Sequence, residues 1–135
     1  MNASANESEL RTRVYAEIGL QQRLFQQKHL DEAAREKQPL PEYLLARGLI
    51  SPEQHTGLER AVSYRLGRDE DKRIAQLVVE HGYCSESAVA KALKQQKALY
   101  GRSGQLVRLG NLLVEAGSLS DSQHLAAMKL FRLGK

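Results

Sequence analysis

The sequence predicts an all-α protein: a long N-terminal helix followed by three repeated helix-turn-helix hairpin units packed as a small helical bundle or array. Three observations predict it. A short pattern occurs three times, as PLPEYLLARGLISPEQ around 39–54, KRIAQLVVEHGYCSESA around 72–88 and VRLGNLLVEAGSLSDSQ around 107–123. Each copy sets an apolar run before a glycine (Gly48, Gly82, Gly117) and a serine three residues later (Ser51, Ser85, Ser120). The chain has no Trp and seven other aromatics, so its core falls to Leu, Val, Ile and Ala, a composition in which strong helix formers are prominent.

Residues 1–8 carry neither the basic nor the apolar region of a signal peptide and are expected to be disordered. A helix is predicted over 9–38, with Leu10, Val14, Ile18, Leu24, Phe25 and Leu30 drifting around one face. Gly19 marks a bend or a close approach in it, and Pro39 and Pro41 stop it. This segment lies outside the repeat; it caps the array or pairs with a second subunit, making a homodimer through the N-terminal helix one of the expected partnerships.

The repeat domain covers 39–135, with copies at about 39–66, 72–99 and 107–132. In each, the glycine stops one helix in the left-handed conformation and the serine caps the next. Gln54 and Gln123 complete capping boxes with Ser51 and Ser120, and Pro52 suits a first helical position. Copy two has Ala88 at the box position, so Ser85 caps alone. The apolar face of the first helix in copy three is Leu109, Leu112, Leu113 and Ala116. The second helices are predicted to bury Leu58, Ala61 and Val62, then Val89, Ala92 and Leu93, then Leu125, Met128 and Phe131. The spacer GRDEDK (67–72) reads as a polar linker from which Asp69 or Asp71 caps the next helix, and YGRSGQ (100–105) reads as a mobile glycine-rich one. A 34-residue spacing suggests tetratricopeptide units, but their signature Trp, Tyr and Pro positions are missing.

Catalysis finds no motif. His55 and His124 occupy equivalent places but have no companion at metal-ligand spacing, so no metal site and no catalytic residue is assigned. Asp69, Glu70 and Asp71 read as a solvated run rather than an acid–base pair. No phosphate-binding glycine loop exists, and the single Cys84 cannot form an intramolecular disulfide. No membrane insertion is expected, and a cytoplasmic location fits. Residues 72–135 hold ten basic and four acidic side chains, a surplus that suits an anionic partner. A DNA-reading helix pair can be drawn through 73–97, with Lys91, Lys94 and Lys97 along one face. The same architecture recurs with other charges in the other copies, so nucleic acid is not the expected partner.

Copy three, RLGNLLVEAGSLSDSQ, resembles the tandem motif of the N-terminal cyclic-di-GMP-binding domain of type II secretion and type IV pilus assembly ATPases, of which this chain looks like a stand-alone, degenerate relative. The resemblance covers roughly 72–131 and, more weakly, 39–61. It implies that an Arg at the helix start contacts the dinucleotide, that the following Leu and Gly bring backbone close, and that a closing Gln contributes. Arg108, Leu109 and Gly110 match all three opening positions. Arg73 matches in copy two, where Ile74 replaces Leu, Ala75 replaces Gly and Gln96 matches the closing Gln; copy three has Phe131 there. Copy one opens Pro39-Leu40-Pro41. The resulting expectation is a non-enzymatic adaptor or regulatory module that binds a protein partner in a bacterial secretion, pilus or signalling system and requires no cofactor. Sensing of cyclic di-GMP through Arg73, Ile74, Gln96, Arg108, Leu109 and Gly110 is the alternative. A DNA-binding regulator is a further one.

Overall fold

The structure, a computed structural model, describes residues 3–134, with side chains from Glu7 onward. Among the described residues the regular elements are seven α-helices: α1 Ala3–Gln21, α2 Gln27–Arg35, α3 Leu40–Ala46, α4 Pro52–Glu80, α5 Glu86–Ser103, α6 Leu109–Glu115 and α7 Asp121–Arg132. No strand occurs among the described residues. The chain divides into two compact units, one ending at Ser63 and one beginning at Tyr64, so α4 contributes its first part to one unit and its last part to the other.

The three glycine turns share one geometry. Gly48, Gly82 and Gly117 have φ of 69°, 72° and 76°. In each, the glycine amide and the next amide bond back to carbonyls three and five residues earlier, which satisfies orphan carbonyls at the helix end. The caps follow. The amides of Gln54, Ala88 and Gln123 each donate to the serine hydroxyl three residues before, at 3.1 Å. Ser51 N–H and Ser120 N–H donate to the Gln54 and Gln123 side chains, closing both boxes.

The N-terminal segment differs from expectation. Of the residues expected to be disordered, Met1 and Asn2 lie outside the described residues, and the helix already includes Ala3. The single helix expected over 9–38 is two helices, α1 and α2, separated by the same turn. Arg23 stands where the other copies have glycine, at φ 59°. Its amide bonds to Leu20 O and the Leu24 amide to Gly19 O, the same pair of bonds. Three residues on, Gln26 takes the cap position, and its amide donates to His29 Nδ1 at 2.9 Å. The segment read as lying outside the repeat is therefore a fourth copy. It is offset from copy one by 25 residues, Arg23 to Gly48.

Aligning the four turns explains the core. Tyr15, Leu40, Ile74 and Leu109 are equivalent and all buried, as are Ile18, Tyr43, Leu77 and Leu112, and Ala33, Leu58, Ala92 and Ala127. Where Leu44, Val78 and Leu113 fill the next position, the N-terminal copy has Gly19, and the vacancy is filled by Phe25. A Cβ on Gly19 would lie 2.1 Å from the Phe25 ring. The other copies hold Ile50, Cys84 and Leu119 at the Phe25 position. The volume lost at one position is returned at the other, as close-packed interiors require.

Two spacer expectations are corrected. GRDEDK is not a linker but part of α4, which runs unbroken for 29 residues. Nothing in it forces a stop: no proline follows Pro52, and Gly67 costs only about 1 kcal/mol in a helix interior. Gly67 also accommodates Leu106, whose Cδ2 would sit 2.2 Å from an added Cβ. YGRSGQ is helical through Ser103 and ends on Gly104 at φ 72°. Burial expectations fail at three positions too. Leu125 is 64% exposed, because the buried side of α7 runs through Ala127 with Met128 and Phe131 packed beside it. Ala116 likewise faces solvent, and Ala61 is only half-buried.

Candidate functional site

The second unit contains a buried carboxylate. Asp71 is 1% exposed and lies on the α4 stripe that also carries Ile74, Ala75 and Val78. Opposite it begins α6, a seven-residue helix whose cap residue, Arg108, makes no side-chain cap of its own. Asp71 supplies the missing acceptor from 37 residues away. Its Oδ2 takes the Leu109 amide at 3.0 Å. Arg108 clamps the same carboxylate, Nε at 3.1 Å from both oxygens and Nη2 at 2.8 Å from Oδ1, and adds Glu70 Oε2 at 2.9 Å. Gln96, fully buried, donates Nε2 to Asp71 Oδ2 at 2.6 Å and to Val107 O at 2.9 Å. Its Oε1 is buried without a partner.

This arrangement sets the charge states that matter. The hydrogen bonds that Arg108 donates to Asp71, more than any other cause, raise Arg108 above the ordinary arginine value, so the guanidinium stays charged. Both Asp71 oxygens accept at least two donors, so their lone pairs are largely taken up within the fold. Its chemistry is that of a brace: it neutralises Arg108, caps α6 and orients Gln96. Leaving such a carboxylate unpaired costs several kcal/mol in general.

Of the residues singled out by sequence, Arg108, Leu109 and Gln96 thus come together, but around Asp71. Ile74 is 2% exposed and belongs to the core. Arg73 lies apart from the brace, exposed, with its guanidinium carbon 5.2 Å from the Phe131 ring centre. Gly110 admits the His124 ring: a Cβ there would fall 2.0 Å from Nε2. In copy two the equivalent pair is Ala75 and Val89, a larger residue facing a smaller one. Asp71 is the functional-looking residue that sequence reasoning read as solvated, together with Asp69 and Glu70. The signal was its spacing, since positions 71, 74, 75 and 78 share one helical face on which the other three are apolar.

Beside the brace, α4 and α5 form the walls of an open groove of about 550 Å³. Ala75, Val79, Val89, Ala90 and Leu93 give it an apolar lining, with Lys72 toward one end and Glu80 and Glu86 at the other, next to the turn. In the first unit a second cavity of about 340 Å³ lies against Arg11, Thr12, Tyr15 and Glu59. There Arg11 Nη2 reaches Glu59 at 3.3 Å and Ser63 Oγ at 3.1 Å, and Tyr15 OH pairs with His55 Nδ1 at 2.9 Å. Burial above all pushes the Tyr15 hydroxyl up to about 12. Among the described residues no three His, Cys, Asp or Glu side chains are grouped to hold a metal ion, and no helix is long and apolar enough to cross a membrane.

No family model matches the chain, and it finds no match among curated proteins or solved structures.

Proposed function

We propose that this chain is a non-enzymatic helical adaptor that binds a protein partner, in a bacterial secretion, pilus or signalling system. The observation that carries the reading is how the second unit divides its side chains. Its strongest polar cluster is spent internally on Asp71. It also holds an open apolar groove between α4 and α5. Apolar grooves with a few charges at their ends are suited to amphipathic segments of other proteins. The test is affinity capture from the producing cells with the wild-type chain and with Ala90→Glu, followed by reconstitution from purified components. A protein captured by the first, lost with the second and bound directly on reconstitution is expected. Equal capture by both chains removes the groove from the reading.

Cyclic di-GMP sensing is the second reading, supported by the resemblance and by Arg73, an exposed residue outside the Asp71 cluster. Arg108 and Gln96 weigh on the other side, because both are committed to Asp71. Calorimetry with cyclic di-GMP decides it. Saturable heat that disappears in Arg73→Ala supports sensing, and absence of heat at high micromolar ligand ends it.

A further inference from the structure

The groove and the outer face of α7 match in charge order and in length. On α4, Lys72 and Glu80 are eight residues apart, about 12 Å at the helical rise, with apolar Ala75 and Val79 between them. Glu86 adds a second carboxylate at the Glu80 end. On α7, Asp121 and Lys129 are also eight residues apart, and both are exposed. Leu125 stands midway between them, 64% exposed. Arg132 adds a second cation at the Lys129 end. Set parallel to residues 72–80, α7 brings Asp121 to Lys72, Lys129 and Arg132 to Glu80 and Glu86, and Leu125 to the apolar lining. Set antiparallel, the same helix puts like charges opposite each other at both ends.

Resting on the reading of this groove as a seat for an amphipathic helix, we propose that the groove of one molecule receives α7 of a second copy of this chain. The groove and the outer face of α7 are different surfaces, so the contact is heterologous. It closes where two copies exchange helices reciprocally and propagates where they do not. One helical face buries less than a standard interface, so the association is weak and depends on concentration. Its orientation is set by the end charges, which makes it sensitive to salt.

The test is sedimentation equilibrium of the full chain from low micromolar to near-millimolar concentration. The wild-type mass is expected to rise with concentration, and less so at high salt. Leu125→Glu and Ala90→Glu alter exposed positions on the two opposing surfaces. Each is expected to weaken association about tenfold or more, with the helical circular dichroism unchanged. Glu80→Lys and Lys129→Glu each weaken it as well, and the double variant recovers it, because the pair is restored with signs exchanged. A wild type that stays monomeric throughout overturns the proposal. So does association that Leu125→Glu and Ala90→Glu leave intact, or a double charge variant no better than its singles.

Discussion

Each unit joins two hairpins, and each places polar groups in the join, but with different chemistry. In the first, two buried tyrosines supply phenol contacts: Tyr15 pairs with His55, and Tyr43, itself fully buried, donates to Glu32. In the second, a carboxylate does: Asp71 gathers Arg108, Gln96 and the Leu109 amide. A phenol needs one acceptor and brings its own apolar ring, so its burial is cheap. A buried carboxylate needs a counter-charge and several donors, and the loss of one leaves the rest stranded. The same repeat therefore tolerates either solution, but the two units should fail in different ways.

The largest expected difference follows from removing the counter-charge. Arg108→Ala should cost the second unit about 3 kcal/mol, the low end for a broken buried pair because the guanidinium is half exposed. Tyr15→Phe should cost the first only about 1 kcal/mol, the worth of an ordinary hydrogen bond. Urea unfolding followed residue by residue through hydrogen exchange measures both, and equal losses would erase the distinction between the units. Next comes Gly110→Ala, expected to lose about 2 kcal/mol because the new methyl meets the His124 ring. Adding His124→Val should return most of it, since copy two already uses Ala75 with Val89; thermal melts of the single and double variants check this. In the first unit, Arg23→Gly should stabilise by up to about 1 kcal/mol by relieving a left-handed arginine, readable as a rise in melting temperature.

The smallest effect is a pH dependence. Burial raises Tyr15 from 10.0 to about 12, and Tyr43 is also raised, chiefly by its hydrogen bond to Glu32. A phenol ionises first in the unfolded chain when its folded value is raised. The stability Tyr15 lends is thus whole below pH 10 and is lost as pH climbs toward 12. A melting series across that window should show the first unit weakening, with a flatter profile in Tyr15→Phe. An unchanged slope would separate the phenols from the stability of the first unit.

The glycine turns were legible because glycine announces the left-handed conformation and serine three residues later announces the cap. The fourth copy was hidden by the same logic. Arg23 and Gln26 adopt the turn and cap geometry without the usual residues, so the backbone repeats where the letters do not. The continuity of α4 was hidden by its charges, since GRDEDK has the composition of a linker and lacks only a stop. Within the candidate site, Arg108 and Gln96 were legible as special residues, but their partner was not. Asp71 looks like its exposed neighbours Asp69 and Glu70 until its helical face is drawn. Leu125 was misplaced because α7 buries a narrow side around Ala127, and Leu125 stands off that side, 64% exposed.

The paired volumes at Gly19 with Phe25, and at Gly110 with His124, also constrain how such copies can diverge. A mutational walk from the copy-three pair to the copy-two pair has two possible first steps. Shrinking the histidine first leaves a small void, which a domain survives; adding the methyl first creates a collision, which it survives less well. The order of substitution is therefore asymmetric, and drift between copies has a preferred direction at each such pair.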